Sequence, residues 1–84
     1  MPYTIRLRTL AFVQAARRGG YTSDYALARA MGVNRSTVTR VVKGDLQPGA
    51  GFIAGALIAL RADFPDLFEI IPDKRISRDR NLPV

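Results

Sequence analysis

The stretch from Gly49 to Leu60 constrains the fold of this chain more than any other part of the sequence. Its twelve residues carry no polar or charged side chain, which is too short a run for a membrane span of roughly 20 residues. A helix that is apolar nearly all round must instead be buried on most of its sides. In a chain of 84 residues, only one small domain is available to provide that cover.

Glycine and proline residues divide the rest of the chain into segments of helical length. One segment begins after Ser23, a good N-cap, and ends at Gly32, and the next begins after Asn34 and ends at Gly44. Apolar and polar residues alternate over residues 3–7, which suits a short strand as well as the start of a first helix. The predicted helices are residues 7–18, 24–31, 35–43 and 50–62.

These segments predict a mainly all-α fold, a compact domain of four to five helices over residues 1–72. Either the apolar segment at residues 64–71 folds over the fourth helix, or a second chain covers that helix. A short strand at residues 67–71 or at residues 3–7 is the alternative to helix in those places. Residues 73–84 are polar and basic, and they are predicted to form a flexible tail.

The composition excludes several kinds of chemistry. The chain has no cysteine and no histidine, so it has neither disulfides nor Cys/His metal sites, and it lacks the Ser-His-Asp and Cys-His nucleophile systems. Its seven carboxylates are scattered, and no glycine-rich phosphate-binding loop is present. The sequence therefore predicts a protein that is not an enzyme, that has no cofactor, no metal and no membrane partner, and that is cytoplasmic.

The charge of the chain is unevenly distributed. The net charge is +6, but residues 1–44 contain eight basic residues against the single acidic residue Asp24, whereas residues 45–72 have a net charge of −3. Arginine accounts for eleven of the thirteen basic residues, and its guanidinium suits bidentate hydrogen bonds to phosphate and guanine. This asymmetry indicates a surface for a polyanion.

The second and third predicted helices are joined by only three residues, Gly32-Val33-Asn34. This is the spacing of a helix-turn-helix, in which two helices meet at about 90–120° through a short turn that contains glycine. Ala28 is small where the third helix crosses over it, and Gly32 suits the turn. The apolar side chains that would fix the angle between the two helices are Leu27, Val33, Val38 and Val41.

Residues 24–44 resemble the helix-turn-helix domains of the lambda repressor and Cro class of phage and bacterial transcriptional regulators. The likeness extends over residues 7–62. It implies a sequence-specific regulator, a repressor or Cro-like switch protein, which binds a near-palindromic DNA operator as a dimer. Two alternatives remain open: an architectural or recombination accessory DNA-binding factor, and an antitoxin-like protein-interaction module that uses its apolar C-terminal segment.

The resemblance also implies roles for individual residues, because in this class the N-terminal residues of the third helix face base edges in the major groove. The base-reading candidates are Arg35, Ser36, Thr39 and Arg40. The candidates for phosphate contacts are Ser23, Tyr25, Asn34, Thr37, Lys43 and Gln47.

Asp24 departs from the pattern of the class, where the first residue of the second helix is often glutamine. Two roles remain open for this carboxylate. It either complements the dipole of its own helix or braces Arg35 through a hydrogen bond that holds the guanidinium towards guanine.

A homodimer is predicted from the surplus of apolar residues near the C-terminal end of the domain. A helix-on-helix contact is the first choice for the interface. The alternative is a strand at residues 67–71 that pairs with its twin or with residues 3–7. The residues assigned to the interface are Ile58, Phe64, Leu67, Phe68, Ile70 and Ile71.

Overall fold

The computed structural model describes residues 2–73, which form five helices and a two-stranded antiparallel sheet. The domain is therefore mostly helical, as predicted, but it is not all-α. The tail predicted over residues 73–84 lies outside the described residues except for Asp73. In chain order the elements are β1 (Tyr3–Leu7), α1 (Thr9–Arg18), α2 (Asp24–Met31), α3 (Arg35–Lys43), α4 (Ala50–Leu60), α5 (Phe64–Leu67) and β2 (Phe68–Pro72).

The sheet joins the two ends of the described chain. Leu7 of β1 lies opposite Phe68 of β2, and Arg6 lies opposite Glu69, with which it forms an ion pair of 2.6 Å. Asp73 is buried, and its backbone N–H donates to the carbonyl oxygen of Pro2 at 2.8 Å. Asp73 therefore belongs to the folded domain rather than to a tail.

The segment at residues 64–71 contains both a helix and a strand. A capping box starts α5, because the Asp63 backbone N–H donates to the Asp66 carboxylate at 3.0 Å and the Asp63 side chain accepts from the backbone in return. The segment then extends into β2, where the Phe68 ring lies edge-on to Phe52 of α4 with a centroid separation of 6.3 Å. The chain's own C-terminal segment thus covers one side of α4.

The hydrophobic core lies between the helices and the inner end of the sheet. Leu67 and Phe68 are each only 1% exposed, so both side chains pack inside the monomer. Their assignment to the dimer interface is therefore wrong, because neither is accessible to a second chain. The buried apolar side chains are Leu7, Phe12, Ala16, Leu27, Ala28, Met31, Val38, Val41, Phe52, Ala56, Leu67 and Phe68.

Helix α4 is buried on one side and exposed on the other, although its sequence is apolar all round. Ile58 on the outer side is 78% exposed. On the inner side, Gly55 approaches the end of α2 so closely that a Cβ atom at this position would overlap the Met31 carbonyl oxygen. No helix within residues 2–73 is long and apolar enough to cross a membrane.

Candidate nucleic-acid interface

Helix α2 begins and ends with local hydrogen bonds that its sequence encodes. The Ser23 hydroxyl oxygen accepts from the Ala26 backbone N–H at 3.1 Å, which satisfies one of the unpaired donors of the first turn. At the other end, Gly32 has φ of 75°, a left-handed conformation that glycine adopts without steric strain. The chain then turns, and the Val33 N–H donates to the Ala28 carbonyl oxygen at 3.0 Å.

Helix α3 begins at the predicted residue but without the predicted side-chain cap. The backbone carbonyl oxygen of Asn34 accepts from the Thr37 N–H at 3.0 Å, while the Asn34 side chain makes no capping hydrogen bond. Its exposed amide therefore remains available to a ligand on the surface. The helix ends at Gly44, which has φ of 87°.

The inner face of α3 is apolar and packs against α2. Val38 is fully buried, Val41 is buried beside it, and Val33 in the turn is partly buried against the same core. The corresponding residues of α2 that enter the core are Leu27, Ala28 and Met31. Of the apolar residues that were expected to fix the angle between the two helices, Leu27, Val38 and Val41 are thus buried, and Val33 is partly buried.

The outer face of α3 carries the predicted base-reading residues. Arg35, Ser36 and Arg40 are exposed, and Thr39 is half-buried. Together with Asn34, these four side chains line one open depression on the surface. Helical spacing thus brings two pairs of residues, each pair one turn apart, to one accessible face of α3.

The residues predicted to contact phosphate are accessible to different degrees. Thr37 is half-buried, whereas the others are exposed. Gln47 and its loop neighbours Gly44, Asp45 and Leu46 border a separate depression between α3 and α4. The exposed residues of the set are Ser23, Tyr25, Asn34, Lys43 and Gln47.

Arg29 is a residue that the sequence analysis did not single out. Its guanidinium carbon lies 5.9 Å from the centroid of the Tyr25 ring, and its Nη1 donates to the Tyr25 hydroxyl at 3.5 Å. The two residues are one turn apart on α2, a spacing that allows such contacts. Arg29 therefore orients Tyr25, and the i, i+4 spacing was the signal that could have identified it.

Asp24 contacts Thr39 rather than Arg35. The Thr39 hydroxyl lies 3.4 Å from Asp24 Oδ2, and it also lies 3.2 Å from the Arg35 carbonyl oxygen, the other acceptor within its reach. Among residues 2–73, no ion pair joins Asp24 to Arg35. Of the two roles left open for Asp24, the hydrogen bond to Arg35 is not formed in this structure: the carboxylate of α2 meets a hydroxyl group in the middle of α3.

The unit formed by α2, the turn and α3 is basic overall. Residues 23–44 contain the cations Arg29, Arg35, Arg40 and Lys43 and a single carboxylate, giving a net charge of +3. Such a unit attracts a polyanion over a distance of about 10 Å at moderate ionic strength. Comparisons of the chain with protein-family models, with curated proteins and with solved structures found no significant match.

Proposed function

We propose that this protein is a sequence-specific DNA-binding transcriptional regulator, a repressor or Cro-like switch protein in which α2 and α3 form the helix-turn-helix. The observation that carries the proposal is the division of α3 into two faces. Val38 and Val41 hold the helix on the core, whereas Arg35 and Arg40 extend from its outer face. Polar outer faces are common to surface helices, but here the exposed charges of α3 are all basic and follow a helix-turn-helix spacing, which supports DNA as the partner.

The dimensions and chemistry of α3 match those of the major groove. An α-helix with its side chains is about 10–12 Å in diameter, which fits a groove about 12 Å wide, and the nine residues of α3 give it a length of roughly 13 Å. Arg35 is the first residue of the helix, where recognition helices contact base edges, and its guanidinium can donate to guanine O6 and N7 together. The exposed side chains of Ser23 and Asn34 flank two helix N-termini, whose backbone N–H groups favour phosphate.

The proposed partner is a DNA operator that is nearly palindromic, bound by a homodimer. Ile58 on α4 and Ile70 on β2 are 78% and 66% exposed, and these large apolar side chains favour burial against a second copy. In such a dimer the two recognition helices would lie about 34 Å apart, one turn of DNA.

The combined substitution Ile58→Gln and Ile70→Gln is expected to raise the dissociation constant of the dimer at least tenfold, because each buried isoleucine contributes roughly 1.5–3 kcal/mol. Analytical ultracentrifugation measures this constant. Leu10→Gln is the matched control, since Leu10 is 70% exposed but lies on α1. If the unaltered protein binds DNA as a monomer, the proposed homodimer is wrong.

DNA binding is expected to weaken steeply as salt increases. If four to eight phosphates are neutralised per dimer, the logarithm of the binding constant should fall against the logarithm of salt concentration with a slope of roughly −4 to −7. Fluorescence anisotropy of a labelled duplex over a salt series measures this slope. A slope near zero would argue against DNA as the partner.

The experiment that tests the function itself is selection of bound sites from a randomised DNA library. A transcriptional regulator of this kind is expected to enrich one motif with two related half-sites about 10 base pairs apart. Enrichment without any sequence motif would instead favour an architectural DNA-binding factor. If the protein retains no DNA from the library, the proposed function is overturned.

A further inference from the structure

The position of Asp24 is unexpected for a surface that binds DNA. It is the only acidic residue in the first 44, and it lies at the start of α2 beside the outer face of α3. A carboxylate that approaches DNA phosphates is repelled by them. Two interactions can offset this repulsion: the dipole of α2, which favours a carboxylate in its first turn, and a hydrogen-bond donor on the DNA.

The contact with Thr39 determines what this part of the surface presents to a ligand. The single hydroxyl hydrogen of Thr39 can be donated to the Asp24 carboxylate or to the Arg35 carbonyl oxygen. With either acceptor, the hydrogen is engaged within the protein and is not presented to a ligand. The remaining oxygen lone pairs of Asp24 and Thr39 are all acceptors, so this patch offers no donor of its own.

Only one base edge in the major groove is complementary to an acceptor-only patch. Cytosine presents its N4 amine as a donor and no acceptor beside it. Adenine also has a donor, at N6, but its N7 acceptor lies next to that donor and would face the oxygens of the patch. Guanine presents two acceptors, and thymine presents an acceptor and a methyl group.

We propose that Asp24 and Thr39 together select cytosine in the operator, close to the guanine contacted by Arg35. The one N4 hydrogen that base pairing leaves free in the major groove would be shared between the carboxylate and the hydroxyl oxygen. This inference rests on the proposed function, and it names part of the sequence that the protein prefers. It assigns the carboxylate a direct reading role, distinct from a brace on Arg35.

The test is site selection from a randomised library with the unaltered protein and with Asp24→Asn and Thr39→Val. The unaltered protein is expected to prefer cytosine at one position of each half-site by roughly tenfold. Asp24→Asn should shift that position towards adenine, because a carboxamide both donates and accepts and so matches adenine N6 and N7. Thr39→Val keeps the shape of the side chain and should reduce the cytosine preference without replacing it.

A matched control separates base reading from simple charge repulsion. Asp45→Asn removes an equally exposed carboxylate from the loop after α3. It is expected to tighten binding to all sequences alike and to leave the preferred motif unchanged. Asp24→Asn should tighten binding to random DNA similarly, while its preference at the single cytosine position is lost.

The outcomes distinguish this inference from the proposed function. If the unaltered protein selects a motif but Asp24→Asn leaves every position of it unchanged, the reading role is wrong and the carboxylate only complements its own helix dipole. If the unaltered protein selects no motif, the proposed function itself is overturned. Thermal melting of each variant verifies that it is folded, and a loss of fold would weaken binding to all sequences rather than change one position.

Discussion

Gly55→Ala is expected to lower the free energy of unfolding by about 3 kcal/mol, a large fraction of the stability of a domain of this size. The Cβ atom would overlap the backbone carbonyl oxygen of Met31, and a backbone group cannot move aside as a flexible side chain can. Helix α4 would have to move away from the C-terminal end of α2. Thermal denaturation monitored by circular dichroism should show a melting temperature lowered by more than 10 °C.

Gly51→Ala is the control for this prediction, because it makes the same chemical change in the same helix. Apart from its chain neighbours and the backbone of its own helix, no atom of residues 2–73 lies within 4 Å of a Cβ at this position. Since alanine favours helix more than glycine does, the melting temperature should stay the same or rise slightly. Equal effects of the two substitutions would mean that α2 and α4 do not approach each other closely at Gly55.

Arg35→Ala is expected to abolish discrimination between base pairs at one position of each half-site. The expected loss is roughly 1–3 kcal/mol of binding free energy between the preferred base pair and the others, or about 5- to 150-fold in relative affinity. Arg35 is the exposed first residue of α3, and alanine cannot replace its two hydrogen bonds to guanine. Competition binding with duplexes that differ at single positions measures the loss. Affinity for the other positions should fall far less.

Lys43→Ala is the control for Arg35→Ala, because the Lys43 ammonium group is expected to contact phosphate and no base. It lies in the last turn of α3, is exposed, and has the same sign of charge as Arg35. Its loss should weaken binding to every sequence alike and reduce the salt slope by about 1 per protomer, or about 2 for the dimer. If Arg35→Ala behaves in this uniform way too, Arg35 contacts phosphate and does not read a base.

The bounds of α2 and α3 follow from the sequence because local signals mark both ends of each helix. Ser23 and Asn34 precede the first residues, and Gly32 and Gly44 adopt the left-handed conformation that terminates them. These signals depend on a few neighbouring residues and not on the rest of the fold. The exposure of Arg35 then follows from the apolar spacing of the helix.

Features that depend on tertiary contacts were harder to predict. The sequence left Leu7 open between the start of α1 and a short strand at residues 3–7. The strand is confirmed, because Leu7 pairs with Phe68 in the sheet, and α1 starts only at Thr9. Helix α4 ends at Leu60 rather than at Ala62, because Arg61 takes a left-handed conformation with φ of 52° that no glycine marks in the sequence.

The contact between Asp24 and Thr39 could not be read from spacing either. The two residues lie 15 positions apart, and the bond depends on the crossing of two helices and on the rotamer of each side chain. A contact between the first residues of α2 and α3 was one of two alternatives, and the carboxylate instead reaches a hydroxyl one turn farther along α3. The exposure of the polar face of α3 was therefore predictable, whereas the hydrogen bond between the two helices was not.

The pairing of β1 with β2 has a consequence for how the domain is made in the cell. Arg6 and Glu69 are separated by 63 positions, and at 5–20 residues per second a ribosome adds the second strand roughly 3–12 s after the first. Helices form within microseconds, so α1 to α4 have time to assemble while β1 is still without its partner. We expect the sheet to close last, after synthesis has passed Pro72, and the aromatic rings of Phe64 and Phe68 to complete the core at that moment.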